Sequence, residues 1–159
     1  MLKVRILCVG KLKESYWRNA CEEYAKRLSA FCRFSIQEIP ETRLPENPSP
    51  ALIEAALREE GKKLLEAAGD DVLFPLCIEG TKLTSEQLSE TIEETAVYGE
   101  SALSFVIGSS YGLHEDVKRK GKKRISMSAM TFPHQLARVM LCEQIYRAFQ
   151  IAAHTRYHK

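Results

Sequence analysis

The sequence has no apolar run that could cross a membrane: its longest hydrophobic stretches break within about eight residues, and a spanning helix needs about 20. It has no cysteine pattern either. Five cysteines, Cys8, Cys21, Cys32, Cys77 and Cys142, are odd in number and scattered, with no CxxC pair and no Cys/His spacing of a zinc site. They read as small buried hydrophobes in a reducing compartment, so neither a disulfide framework nor a metal is expected. Charge of one sign is missing as well. Twenty-three Lys and Arg against 21 Asp and Glu leave +2, so any electrostatic argument must rest on where the charges sit. Gly10 stands alone after the first apolar stretch, which excludes a GxGxxG dinucleotide fingerprint, and no GxxxxGK[ST] phosphate loop occurs. The opening MLKVRILCVG is too short for a signal peptide and lacks its cleavage site, so it reads as a strand of a cytoplasmic protein.

What is there is a globular composition, 45% hydrophobic and 28% charged, over 159 residues. That is enough for one core and too little for two, so residues 1–159 are expected to form one domain. Residues 2–9 alternate as a strand, and Tyr16, Trp17, Ala20, Tyr24 and Leu28 recur at helical spacing. Residues 33–39 alternate again, and PETRLPENPSP, with four prolines in eleven residues, must be a loop. Ser49-Pro50 predicts a helix start and Gly69 its stop. The run 71–78 is apolar enough for a strand buried on both faces, with Pro75 arguing for an edge or a distortion. Glu79-Gly80 predicts a turn, Thr84 with Gln87 a capping box for a helix to about Tyr98, and 103–107 another buried strand. A short helix through His114–Lys118 and a last strand at 124–128 follow. Strands and helices alternating in this way predict an α/β fold, a mostly parallel sheet with helices on both faces.

Ligands in such sheets bind where strands run into loops at their carboxyl ends. Three ends carry suitable residues: Leu76-Cys77-Ile78-Glu79-Gly80, Ile107-Gly108-Ser109-Ser110-Tyr111-Gly112 and Met127-Ser128-Ala129-Met130-Thr131-Phe132. Glycine there lets a ligand approach the backbone, and small or hydroxyl residues before a helix leave N–H groups free. Gly108–Gly112 also spells G-x-S-x-G, which admits a serine hydrolase with Ser110 as nucleophile and His134, His154 or His158 as base. KRKGKKR, residues 118–124, places six basic residues in seven; a solvated turn is the bland reading, but beside a ligand loop, with an aromatic in the tail HTRYHK, it suits an RNA substrate.

The last helix, from near Pro133 to Phe149, is apolar on nearly every side through Leu136, Val139, Met140, Leu141, Cys142, Ile145, Tyr146, Ala148 and Phe149. A helix apolar all round is buried all round, and a second copy of the chain is the economical cover. His134 with Arg138 and Glu143 with Arg147 lie one turn apart on it; the second pair reads as a helix ion pair or as a functional one.

Together FVIGSSYGL, ISMSAMTFPHQLARVMLCEQIYRAF and the terminal RYHK resemble the RlmH (YbeA-like) family of ribosomal RNA large subunit methyltransferases, in the SPOUT superfamily. The resemblance runs over the whole chain, including KVRILCVGKLKE, the EEGKKLL helix and the IEG turn. It implies a C-terminal trefoil knot, an obligate homodimer, S-adenosyl-L-methionine as cofactor, and methylation of N3 of a pseudouridine in helix 69 of 23S rRNA on the assembled ribosome. It places cofactor contacts at Leu76, Gly108 and Met127, Ser128, Ala129, Met130, Thr131 and Phe132. Catalytic positions fall on His134, Arg138, Glu143, Arg147, Tyr157 and His158. The family's usual second loop begins GG; here Ser109 takes the second place. On this basis His158 or Glu143 is expected to accept the imide proton, Tyr157 to orient the base, Arg138 or Arg147 to hold a phosphate or the developing anion, and the tail to reach a partner's pocket. The competing expectation is a ribosome-bound RNA-binding module of the same fold without catalysis.

Overall fold

A computed structural model describes residues 1–159. The chain runs β1 (Lys3–Val9), α1 (Ser15–Leu28), β2 (Arg33–Ile39), α2 (Pro50–Ala68), β3 (Val72–Lys82), α3 (Ser85–Val97), β4 (Ala102–Ile107), α4 (Glu115–Lys120), β5 (Ile125–Ser126) and α5 (His134–Ala152). The strands form one sheet in the order β2-β1-β4-β3-β5, and every pairing is parallel.

Local chemistry sets the helix ends. Ser49 accepts a hydrogen bond from Leu52 N–H with Pro50 at the first helical position, and Gly69 closes α2 at φ +56°. Thr84 and Gln87 bond each other's backbone in a full capping box at α3. Helix α1, which starts without a side-chain cap, is held by the face it buries. The alternation along the strands then sorts the helices. Val4, Ile6, Cys8, Phe74, Leu103, Phe105 and Ile107 point into a core shared with α1, α3 and α5. Leu7, Val9, Leu73 and Val106 point to the other side, where Leu64 and Ala68 of α2 and Val117 of α4 cover them. Connections running towards β2 use the first face and those running towards β5 the second, as crossovers of a single hand require.

Two expectations need correction, and for Pro75 one of the two alternatives holds. Glu79-Gly80 is not a turn that ends the strand: β3 continues to Lys82, and both Leu76 and Thr81 pair with Ile125, so residues 77–80 bulge out between them. A Cβ at Gly80 would stand 2.7–2.8 Å from the Ile125 and Arg124 backbone, so only glycine lets the two strands close again after the bulge. Pro75 does not mark an edge, because β3 lies between β4 and β5; it sits at the distortion, the last residue paired with β4 before pairing passes to β5 at Leu76. The last strand is only Ile125–Ser126, and residues 127–133 are irregular.

Helix α5 packs on α1 and α3. Leu141, Cys142, Ile145 and Ala148 enter the core completely, while Leu136, Met140, Tyr146 and Phe149 remain half-buried; Tyr146 and Phe149 pack on the core beside Phe31, and Leu136 and Met140 lie together on another side of the helix. No helix is long and apolar enough to cross a membrane.

Candidate active site

The carboxyl ends of β3, β4 and β5 enclose a cleft of about 680 Å³. Leu76–Glu79 of the β3 bulge form one wall and Ile107–Leu113 the second; Ser126, Met127, Ser128 and Met130–Pro133 form the third, and His134 and Ala137 close it from α5. Each wall exists for a local reason. The bulge carries β3 outward. The Gly108–Gly112 loop folds on itself through Gly112 N–H to Ser109 O, 2.9 Å, so tightly that a Cβ on Gly108 would collide with the Gly112 carbonyl. Between Ser128 and Phe132 the chain makes only two hydrogen bonds of its own, Ser126 Oγ to Ser128 O at 3.1 Å and Met130 N–H to Ser128 Oγ at 3.0 Å. Its other amides stay available to a bound molecule. At the mouth, Lys118 Nζ meets Glu79 Oε1 at 2.5 Å, and this hydrogen bond is the main reason the Glu79 carboxyl sits below its ordinary pKa.

At the other end of α5 lies a second cluster. Glu143 Oε1 accepts from Arg147 Nε at 3.0 Å and Nη2 at 2.6 Å, and from Tyr157 Oη at 3.1 Å. The Arg147 guanidinium stands 4.8 Å over the Tyr157 ring, which meets Tyr146 edge-on. Arg147 Nη1 lies 3.1 Å from His158 Nδ1, and His158 Nε2 lies 2.6 Å from Glu86 Oε1 at the start of α3. Since an arginine can only donate, Nδ1 is the acceptor and the proton sits on Nε2, donated to Glu86. Burial, and then the bond to Glu143, raise the pKa of Tyr157; the same carboxylate raises that of Arg147. Glu86 is lowered by its own backbone N–H and then by His158.

The expected residues therefore fall into separate places. Leu76, Gly108, Met127, Ser128, Met130, Thr131, Phe132 and His134 line the cleft together. Ala129 is exposed between two of them and is not part of the wall. Glu143, Arg147, Tyr157 and His158 form the tail cluster; Arg147 is 13 residues from His134, about 20 Å along the axis at 1.5 Å per residue. Arg138 joins neither. It is 2% exposed, bonds Glu38 Oε2 at 2.7 Å and Gly10 O at 3.1 Å, and so ties α5 to the ends of β1 and β2. As placed, it cannot reach a phosphate. Reading by motif also missed Lys118 and Glu86, which sit in an apparent charge run and on an outward helix face. Of the basic run, Lys118, Arg119 and Arg124 are paired with Glu79, Asp116 and Glu115, and Lys122 stands over the Tyr98 ring.

The hydrolase expectation fails. A nucleophile elbow is a strained strand-to-helix turn, but Ser110 does not take a positive φ and α4 begins only at Glu115. His154 and His158 lie at the far end of α5, and His134, which shares the cleft with Ser110, makes no hydrogen bond to it.

Comparisons with known proteins agree with this geometry. The family described as predicted SPOUT methyltransferase matches residues 2–158. The chain is 46% identical to a ribosomal RNA large subunit methyltransferase H of Bifidobacterium animalis subsp. lactis and 43% identical to that of Exiguobacterium sibiricum; each alignment covers 99% of this chain and 100% of the relative. Among solved structures, a tRNA methyltransferase of Aquifex aeolicus superposes with a TM-score of 0.54 at 14% identity, over 92% of this chain and 69% of that one. A probable methyltransferase of Bordetella pertussis Tohama I gives 0.55 at 16% identity, over 93% and 95%. With a parallel sheet, a cleft built by three strand ends and a match over almost its full length, the chain belongs to the SPOUT methyltransferases, in the family of the ribosomal RNA large subunit methyltransferases H.

Proposed function

We propose that this protein is an S-adenosyl-L-methionine-dependent rRNA methyltransferase, acting as a homodimer on N3 of a pseudouridine in helix 69 of 23S rRNA in the assembled, cytoplasmic ribosome. The observation that carries the reading is the cleft: three glycine- and hydroxyl-bearing strand ends around a volume within the ~300–1,000 Å³ usual for small-molecule sites. Leu76, the Gly108 turn and the 127–132 segment would hold the cofactor, with apolar walls for its base and free amides for its polar groups. Bound there, the cofactor supplies an electrophilic methyl group.

The protein's own task is then alignment and removal of one proton, since the acceptor nitrogen carries a weakly acidic imide N–H. In one chain the two candidate acceptors are occupied, His158 Nδ1 by Arg147 and Glu143 Oε1 by Arg147 and Tyr157. A substrate that draws Arg147 onto its carbonyl or developing imide anion frees His158 Nδ1 and leaves Glu143 Oε1 with Tyr157 alone, whose ring is then placed to stack on or orient the base. Because Glu143 and Arg147 stand six and ten residues past Ala137 at the cleft, about 9 and 15 Å along the axis, and point to the tail of their own chain, the tail of one protomer serves the cleft of its partner. The half-buried Leu136 and Met140 of α5 support that dimer, and the C-terminal trefoil knot is carried over from the family resemblance. Exposed Lys120, Lys122 and Lys123, which pair with no carboxylate, are the run's candidates for phosphate contact.

Methyl transfer measured on whole ribosomes, free subunits and naked rRNA tests the reading, with product expected only where helix 69 is presented by the assembled particle. Transfer to none of them, together with no S-adenosylmethionine binding by calorimetry, would instead favour a non-catalytic RNA-binding module.

A further inference from the structure

Two side chains of opposite charge line the cleft, and they meet. Glu79 is its only carboxylate and Lys118 its only lysine or arginine, with Lys118 Nζ 2.5 Å from Glu79 Oε1. Apart from His134, the other polar groups of the wall are hydroxyls, the Cys77 thiol and backbone.

The fold brings the pair together from two sides. Lys118 belongs to the basic run, yet its side chain is 19% exposed where that of its neighbour Arg119 is 66% exposed. Helix α4 is drawn against β3 just past Lys118: a Cβ on Gly121 would collide with the Pro75 ring, and Lys122 N–H bonds Leu73 O at 2.9 Å. From the other side, the 77–80 bulge carries Glu79 out of the strand, and Thr81 N–H to Arg124 O at 2.8 Å closes the bulge behind it. Neither partner is saturated. Lys118 spends one of its three N–H donors here, and Glu79 has no second cation. The carboxyl is held below its ordinary pKa, first of all by Lys118, so it is ionised at neutral pH.

The molecule proposed for this cleft ends in an α-amino acid, an ammonium and a carboxylate on one carbon. Its adenosine suits walls such as Leu76, Leu113 and Phe132 with free amides beside them. The zwitterion does not, because burying either charge without a partner of opposite sign is costly. It needs one acid and one base side by side.

We infer that Glu79 and Lys118 form a clasp for the amino-acid end of S-adenosylmethionine, Glu79 accepting from its ammonium and Lys118 donating to its carboxylate. The inference rests on the reading of the cleft as the S-adenosylmethionine site, and adds which way round the molecule lies. Its charged end stands at the mouth and its adenosine against the strand ends.

The test is calorimetric titration of the full-length protein with three thioethers that share the adenosine and differ at the charged end. S-adenosylhomocysteine carries both charges, its decarboxylated analogue only the ammonium, and 5′-methylthioadenosine neither. None carries the sulfonium, whose charge would confound the comparison. Lys118→Met should weaken S-adenosylhomocysteine about tenfold, as loss of a largely shielded charge-assisted bond, and should not weaken the other two. Glu79→Gln, at a more exposed group, should weaken S-adenosylhomocysteine and the decarboxylated analogue about threefold each. It should leave 5′-methylthioadenosine within about twofold of wild type. A partly unfolded sample lowers the stoichiometry of all three titrations alike, so each variant is its own control. If one variant does not fold, the other decides alone. Parallel losses for all three ligands would mean that the pair only shapes the mouth, and unchanged binding of S-adenosylhomocysteine that it plays no part; either overturns the inference. Wild-type protein that binds neither S-adenosylmethionine nor S-adenosylhomocysteine overturns the reading of the cleft itself, an outcome visible before any variant is made.

Discussion

The two ends of α5 are built on opposite principles. At its start the cleft is walled by small and apolar residues, its loops make few bonds of their own, and the nearest ion pair, Lys118–Glu79, stands at the mouth. At its end, Glu143, Arg147, Tyr157, His158 and Glu86 satisfy one another completely. The first end has room and unspent amides, with His134 and the Lys118-paired Glu79 as its candidate proton acceptors; the second has acceptors but no room. On the proposed reading, neither is a methyltransferase site alone, and a second copy of the chain would both cover the apolar residues that α5 leaves half-buried and bring the two halves together.

The largest expected effect comes from emptying the charged end while leaving the cleft intact. Tyr157→Ala or His158→Ala should lower methyl transfer to ribosomes by about 10²–10⁴-fold, the usual worth of a positioned acid–base group, with S-adenosylmethionine affinity by calorimetry essentially unchanged. Damage to the cleft should give the converse. A Gly108→Ala side chain cannot avoid the Gly112 carbonyl, so cofactor binding should weaken by at least about tenfold, at a stability cost of about 1–3 kcal/mol by chemical denaturation.

Between the two ends, Arg138 should affect folding only. Arg138→Ala removes the partner of Glu38 and the tie to Gly10, and because Glu38 is partly exposed the loss should be about 1–3 kcal/mol in urea, with the folded fraction keeping its cofactor affinity. In the basic run, Lys122→Ala or Lys123→Ala should each reduce the salt slope of ribosome binding by about 1, whereas Arg119→Ala, already paired with Asp116, should change it less. The smallest effect belongs to the mouth. Glu79 is held below its ordinary pKa by Lys118, so the pair's contribution is present above the unfolded carboxylate value of about 4.3 and fades as pH falls through the lower folded value. Half-exposed, it should amount to no more than about 0.5 kcal/mol, read as the stability difference between wild type and Glu79→Gln from pH 7 to 3.

The same contrast marks what could be read in the chain. Features decided by neighbours in sequence were legible: the Ser49-Pro50 start, the Thr84–Gln87 box, the Gly69 stop, the strand-end loops and the all-round apolar α5. Features decided by distant partners were not. Strand β3 runs on to Lys82 because Ile125, more than forty residues away, pairs with it twice. Arg138 follows His134 at helical spacing as if to share its site, and only the approach of β1 and β2 turns it inward. The proposed division of the site between two chains has its only sequence signal in the apolar α5 and in the tail that follows it.

The most direct test of that division is complementation between two inactive chains, Gly108→Ala with a broken cleft and His158→Ala with a broken tail, co-expressed and assayed on ribosomes. If each tail serves its partner's cleft, half of the randomly mixed dimers regain one of two sites, and activity should return to about one quarter of wild type. If each tail serves its own cleft, every site carries a defect and the mixture stays as inactive as its parents, which would contradict the account.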